Sequence, residues 1–321
     1  VHELGHYVVA RWRGVRVEVF SVGFGPEIFG WTDSAETRWK ISWVPLGGYV
    51  KFFGDSGVAS GRAEENVLTD AERAVSFHYK TVWSRIAVVA AGPLANFVFA
   101  ILLLTALYST EGQPFSPPLI TGVVPNTVAA AAGFEAGDRL VEINGSNVDR
   151  FEDLMQMVIA NPGRELTFVI RRGDEEFVLI ATLGSRTVTG RTGNELEIGY
   201  LGVQGGAYEV VRHNVLAAVW YATKQTGFIT EQTLVYVGRM IVGEAATDDL
   251  RGPIGIAQLS GEMAQFGIPA VVKFMAVLSI SLGLINLFPV PMLDGGHLLY
   301  YVIEIARGRP LGQRAQEFGF R

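Results

Sequence analysis

The chain opens Val1-His2-Glu3-Leu4-Gly5-His6, which has the spacing H-E-x-x-H. On a helix, residues four apart stand one above the other on the same face. His2 and His6 can therefore offer two imidazole nitrogens to one metal ion. Glu3 follows the first histidine directly and stands beside that face, in reach of a water on the metal. Zinc lowers the pKa of such a water to about 7, and a neighbouring carboxylate can take its proton. That is the chemistry of amide hydrolysis. A chance match on a helix is the other reading of so short a pattern, and the apolar surroundings weigh against it. Ionisable groups in membrane segments are costly and usually functional.

Two histidines leave a tetrahedral zinc site incomplete. The third candidate ligand is Asp294, which ends an apolar run from Phe274 through Asn286-Leu287-Phe288-Pro289-Val290-Pro291-Met292-Leu293. Two imidazoles and a carboxylate fill three positions and leave the fourth for water. His297 is a weaker candidate, because Gly295 and Gly296 separate it from Asp294 and suggest that the helix has ended. Membrane topology supports Asp294. Arg11, Arg13 and Arg16 follow the first apolar segment and mark its cytoplasmic end. Residues 1–16 thus read as the end of a first transmembrane helix running inward. Ile86 to Tyr108 is a charge-free stretch long enough to cross back out, giving a second span at 86–108. If 209–250 lies in the interface as amphipathic helices, the span at 274–297 runs inward and brings Asp294 level with the histidines.

Composition agrees with a mixed membrane and soluble architecture. Hydrophobic residues make up 49% of the 321 and charged residues 18%. The net charge of −6 gives no sign of nucleic-acid binding, and without cysteine there is neither a disulfide framework nor thiolate chemistry. The chain starts without Met inside an apolar helix and stops without a closing pattern. An upstream apolar stretch and a fourth span beyond the segment 298–321 are therefore expected, with Arg307, Arg309 and Arg314 on the cytoplasmic side.

Between these elements, residues 17–53 are rich in β-formers and glycine, and Arg38-Trp39-Lys40-Ile41-Ser42-Trp43 alternates with period two. They predict a hairpin turning at Asp33-Ser34-Ala35-Glu36, either a plain surface hairpin or a sheet edge beside the site. In the second case Gly47 and Gly48 would let another backbone approach, which makes them candidate substrate-positioning residues. Residues 54–85 read as a cytoplasmic loop and a short helix opened by the capping box Thr69-Asp70-Ala71-Glu72. In the second span, Gly92-Pro93-Leu94-Ala95-Asn96 reads as packing, with Asn96 bonded to a neighbouring helix. His78 and His213 read as surface residues. A Pro-rich linker leads to residues 119–184, a compact α+β domain with an Asn144-Gly145 turn. Its run Gly133-Phe134-x-x-Gly137-Asp138-x-Leu140-x-x-Ile143-Asn144-Gly145 resembles a PDZ domain. That resemblance implies a site for an extended peptide or chain end. Tyr200-Leu201-Gly202-Val203 looks like a carboxylate-binding loop but lies past the last expected strand, so the peptide site stays unassigned.

H-E-L-G-H in the first span, G-P-L-A-N in the second, a PDZ-like domain and N-L-F-P-V-P-x-L-D-G-G in the third together resemble the bacterial site-2 protease family, the RseP-type regulated intramembrane zinc proteases. The resemblance implies zinc on His2, His6 and Asp294, Glu3 as catalytic base, and a membrane-associated β element at 17–53. It also implies that Asn286 helps to position substrate. It further implies single-pass membrane protein substrates already trimmed by another protease, such as anti-sigma factors or remnant signal peptides. The setting would be the bacterial inner membrane, with the site near the cytoplasmic side and the PDZ-like domain outside. Many relatives carry two PDZ domains, and this chain has room for one. The fold class expected is a polytopic α-helical membrane protein with a membrane-associated β-hairpin and an inserted PDZ-like α+β domain. A membrane-anchored PDZ adaptor with a non-catalytic zinc site is the alternative, opposed by the intact Glu3. A transporter would show repeated halves, and none is found.

Overall fold

The structure, a computed structural model, describes residues 1–54, 68–189, 195–205, 209–243 and 252–308. It divides into two compact units. One comprises Val1–Thr105, Val219–Val235 and Gln258–Arg321, the other Ala106–Ala218 and Tyr236–Ala257. The expected segment 309–321 and most of the loop 54–69 lie outside the described residues.

Helix α1 (His2–Trp12) leads into β1 (Val17–Thr32) and β2 (Arg38–Phe52), an antiparallel pair. The pair is doubled rather than straight. Gly23 and Gly25 take positive φ (+88° and +87°) and bend β1, where a side chain on Gly23 would strike the Val44 carbonyl. As a result Trp39 pairs with Phe20 on one side and Trp31 on the other, while Phe20 also pairs with Val50. Segment 38–42 is therefore central, and the outer segments are 27–32 and 48–52. This corrects the expectation that Arg38–Trp43 is the edge. Alternation is a property of any half-buried strand and does not tell an edge from a centre.

The turn falls at the expected residues. Asp33 accepts bonds from Ala35 N, Thr37 N and Trp39 Nε1 (2.9, 3.0 and 2.9 Å) and from the Tyr7 hydroxyl of α1 (3.4 Å). Tyr7, Phe20 and Trp39 pack around this anchor, Tyr7 edge-on to both other rings. Below it, Ala10, Val15, Val17, Phe52, Phe77 and Val88 form a core that ties α1 and the sheet to the next helices.

Helix α2 (Asp70–Val75) opens on the expected capping box, with both reciprocal Thr69–Glu72 bonds made. Helix α3 (Val82–Thr110) follows and contains the expected second span.

The second unit holds β3 (Gln113–Phe115), β4 (Gly122–Val123), α4 (Val128–Ala132), β5 (Arg139–Ile143), β6 (Ser146–Asn147), α5 (Phe151–Ile159), β7 (Glu165–Arg172) and β8 (Glu175–Thr182). Strands β6-β5-β7-β8 form one sheet over a core that includes Leu140, Ile143, Leu154, Phe168 and Ile170. The motif residues have structural work here. Asp138 is fully buried, receives Glu135 N at 2.8 Å and pairs with Arg172 at 2.7 and 2.9 Å. Asn144 and Gly145 both take positive φ, as a two-residue hairpin turn requires. The unit continues beyond residue 184 through β9 (Gly184–Thr189), β10 (Glu195–Tyr200), β11 (Val203–Gln204) and β12 (Glu209–Val211). Strand β11 pairs with β4 and Leu201 enters the core. Tyr200-Leu201-Gly202-Val203 therefore belongs to this fold, a long-range pairing that the local pattern does not show.

Of the expected amphipathic segment 209–250, the described residues after β12 form one helix rather than several. Asn214 caps one helix, α6 (Val215–Ile241). Within the first unit it faces Phe97 and Ile101, near the middle of α3, across a groove lined by Thr223, Thr226, Thr230 and Leu234. Several of its polar residues find partners within the helix. The threonine hydroxyls donate to carbonyls one turn back, and Lys224 lies over the Trp220 ring. Pro253 begins α7 (Pro253–Gln265), since proline suits the first helical position. Helix α8 (Ile268–Leu287) covers the first part of the expected third span, 274–297, and ends ten residues before His297. Pro289 and Pro291 cannot continue it, Met292 takes φ +72°, and α9 (Asp294–Arg307) begins anew at Asp294. Among the described helices, α3 and α8 are long and apolar enough to cross a bilayer.

The hairpin anchor yields a pH prediction. The Trp39 indole bond, with the turn N–H and Tyr7 bonds, holds the Asp33 carboxyl below its ordinary range. A carboxyl depressed in the fold contributes stability above its unfolded pKa and loses it as pH falls through the folded value. Wild type should thus lose hairpin stability at acid pH, and Asp33→Asn should start lower near neutrality and lose less on acidification. Thermal melts followed by tryptophan fluorescence from pH 7 to 3 would show it. Parallel pH curves for the two proteins would remove Asp33 as the anchor.

Candidate active site

Helix α1 carries His2 and His6 on one face, and the start of α9 brings Asp294 to them. His2 Nε2 lies 3.1 Å from His6 Nε2 and 3.2 Å from Asp294 Oδ2, and His6 Nε2 lies 3.4 Å from that same oxygen. Zinc binds nitrogen and oxygen ligands at about 2.0–2.2 Å, so ligands on a tetrahedron stand about 3.3–3.6 Å apart. The observed triangle fits that edge within a few tenths of an ångström. Asp294 Oδ2 is also buried without a hydrogen-bonded partner. A buried carboxylate oxygen facing two imidazole nitrogens is costly unless a cation joins them. Among the described residues, the metal-type cluster consists of His2, His6 and Asp294.

Helix α3 builds the rear wall. His6 is buried, and its Nδ1 donates to the Val88 carbonyl at 2.8 Å. That bond fixes the tautomer and leaves the Nε2 lone pair toward the cluster. One turn on, a Cβ at Gly92 would collide with His6 Nε2 and come within 2.8 Å of His2 Cε1. Another turn on, the Asn96 side-chain nitrogen is 3.4 Å from His2 Nδ1, so Asn96 does bond a neighbouring helix. Gly5 allows the approach from the α1 side, since a Cβ there would strike the Ala91 carbonyl and sit 2.6 Å from Ala95 Cβ. G-P-L-A-N is thus part of the site and not packing alone. The signal lay in the spacing of Val88, Gly92 and Asn96, one helix face at i, i+4 and i+8.

Glu3 is half-buried beside the outer sheet segment, and a Cβ on Gly48 would come 3.4 Å from its Cγ. Gly47 takes φ +85° immediately before. Asn286 is half-buried in the last turn of α8. His297 lies on α9 outside the cluster, His78 is exposed, and His213 bonds Gln113 at 3.2 Å. Helix α9 starts with an acid, as the helix dipole favours. Gly295 and Gly296 are buried against the carbonyls of Leu287, Phe288 and Val290, where no side chain fits.

The family model described as Peptidase family M50 matches residues 1–321. The chain belongs to peptidase family M50. It is a zinc metalloprotease. A relative in Agrobacterium fabrum whose name carries the words zinc metalloprotease is 45% identical across the whole chain, covering 87% of its own length. One in Rhizobium meliloti, similarly named, is 44% identical with the same coverage. Metalloprotease MmpA of Caulobacter vibrioides is 33% identical across the whole chain and 87% of its own length. Among solved structures, a PDZ domain of an SdrC-like protein from Listeria monocytogenes is similar over 28% of this chain and 87% of its own, at 18% identity and a TM-score of 0.21. M50 membership agrees with the site-2 protease resemblance and with zinc as cofactor.

Purified full-length protein should hold one zinc per chain. Alanine at His2, His6 or Asp294 should lower that content. Gly92→Ala should do so too, by displacing the His6 ring, although alanine favours a helix more than glycine does. Metal analysis after dialysis, with circular dichroism to verify folding, measures this. A folded Gly92→Ala protein with full zinc would remove the close approach of α3 from the site.

Proposed function

We propose that this M50 protease cleaves peptide bonds within the transmembrane segments of single-pass membrane proteins, with His2, His6 and Asp294 holding zinc and Glu3 as base. The observation that carries the reading is the ligand-spaced triangle beside Glu3, which itself lies against an outer sheet segment. Bound zinc supplies a Lewis acid that makes water nucleophilic near neutral pH. Glu3 takes the water's proton and later returns it to the leaving amine.

The substrate must first unwind, because a helical peptide bond is wrapped in its own hydrogen bonds. Unwound backbone in lipid needs new partners. Segment 48–52, outermost in the sheet and next to Glu3, offers them by strand addition. Gly47 and Gly48 leave room for that second backbone, and Asn286 is assigned to holding the substrate near Asp294. Exposed Phe24, Ile28, Phe29, Trp31 and Trp43 give the sheet an apolar surface suited to lipid. We place the protein in the bacterial inner membrane as a multi-pass protein, with the site toward the cytoplasm and the PDZ-like domain outside. The substrates assigned are anti-sigma-factor-like proteins trimmed by another protease, and remnant signal peptides. The PDZ-like domain receives a peptide or chain end.

Two variants test this with a membrane-embedded substrate and full-length protein. Glu3→Gln should keep its zinc and lose about 10²–10⁴-fold in rate, the range of a general base. Consecutive residues of an antiparallel strand turn their N–H groups to opposite sides. Of Tyr49→Pro and Val50→Pro, one therefore breaks a bond to segment 17–22 and the other removes only an outward donor. The better-folded of the two should retain zinc and cleave poorly. Normal cleavage by that variant would mean that substrate is held elsewhere.

A further inference from the structure

We propose that Asn96 is a positioning residue for the metal site: its side-chain amide sets the tautomer and ring plane of His2, as the Val88 carbonyl does for His6. This rests on the assignment of His2 as a zinc ligand.

A neutral imidazole carries one N–H. If Nε2 serves the metal, Nδ1 keeps the hydrogen and needs an acceptor, usually a carbonyl or carboxylate. For His6 the acceptor is the Val88 carbonyl at 2.8 Å. For His2 the partner at Nδ1 is Asn96, whose Nδ2 lies 3.4 Å away. A carboxamide can meet either tautomer. With nitrogen toward Nδ1 it donates, and His2 then carries its hydrogen on Nε2, the nitrogen 3.2 Å from the Asp294 oxygen. Rotated by half a turn, the same amide presents its oxygen to Nδ1–H and frees Nε2 for zinc. Metal binding and amide orientation are thereby linked, with no change in the shape of the side chain.

The surroundings restrict Asn96 to this role. It is 3% exposed in the middle of an apolar span, so water does not satisfy its amide. Its backbone carbonyl accepts the Ser279 hydroxyl of α8 at 2.8 Å. Gly283 brings α8 so near that a Cβ there would stand 3.2 Å from Asn96 Cβ. Helices α1, α3 and α8 thus meet at one amide held against one imidazole. A buried amide left without a partner is costly, which favours the bond to His2.

The test measures zinc affinity of full-length protein by competition with a chromophoric chelator. Wild type is compared with Asn96→Leu, Asn96→Asp and His2→Ala, and melting of the zinc-free proteins checks the fold. Asn96→Leu, similar in size but without a hydrogen bond, should weaken zinc binding about 10–100-fold, the usual cost of losing an outer partner. Asn96→Asp restores an acceptor and should bind nearer to wild type than Asn96→Leu does. A role in helix packing alone would penalise both variants alike, and that outcome overturns the proposal, as does wild-type affinity in Asn96→Leu. If the Leu variant does not fold, Asn96→Ala carries the comparison. Cobalt absorption then serves as a second readout, its ligand-field bands shifting in Ala and returning in Asp. Wild-type zinc affinity in His2→Ala would instead remove His2 from the site, and this proposal with it. Loss of zinc in His2→Ala with none in Asn96→Leu would remove Asn96 alone.

Discussion

The structure depends on how near α1 comes to α3. Two helices carrying ordinary side chains pack 8–10 Å apart. Gly5 and Gly92 lower that limit at the crossing, each facing atoms of the other helix that leave no space for a Cβ. Only at this separation can the Val88 carbonyl reach His6, and the Asn96 amide His2, without an intervening side chain. The i, i+4 spacing of the histidines matches the i, i+4, i+8 face of α3. The proposed ligand pair is thus oriented by a second helix.

Asp294 reaches the histidines by a different device. Helix α8 stops at two prolines, the chain reverses through a strained Met292, and the acid appears as the first residue of α9. Its helix dipole favours a carboxylate there, and the paired glycines let the returning loop lie on the new helix. Arg85 of α3 holds the rest of α9. Its guanidinium meets Glu304 at 2.6 Å and lies 4.8 Å from the Tyr301 ring centroid, with both charged side chains mostly buried. A pair of this kind adds little net stability but is costly to break. It therefore favours one register of α9 against α3, the helix that already orients both histidines.

The β element shows why a strand pattern can be read correctly and placed wrongly. Alternation at Arg38–Trp43 reports a strand, and the structure has one, but Ile41 and Trp43 are exposed on it while Ser42 is buried. Whether such a strand stands at an edge depends on its neighbours. Here Gly23, Gly25 and Pro26 fold β1 around it, and Trp39 pairs on both sides. The outer position beside Glu3 passes to segment 48–52, which opens on Gly48 and shows no period-two burial. Similarly, Tyr200-Leu201-Gly202-Val203 joins the second unit through pairing with residues some 80 positions earlier in the chain, and no local signal marks that.

The candidate ligands could be picked out in the sequence because metal ligation demands particular residue types at short spacing. H-E-x-x-H and L-D-G-G each identify their atoms locally, and Thr69–Glu72, Asn144-Gly145 and the charge-free spans likewise depend on neighbours in the chain. The tertiary structure decided which local features meet. It placed Asp294 at the start of a helix rather than the end of one, because two prolines close to each other forbid continuation. It turned Gly92 and Asn96 from packing residues into the wall of the site, because a glycine's value lies in what approaches it. It made residues 215–241 one helix beside α3, because threonine hydroxyls and a lysine over tryptophan can be satisfied within the helix itself. Contacts between distant segments carry no periodicity, so the outer partners of both histidines became visible only once the chain was folded.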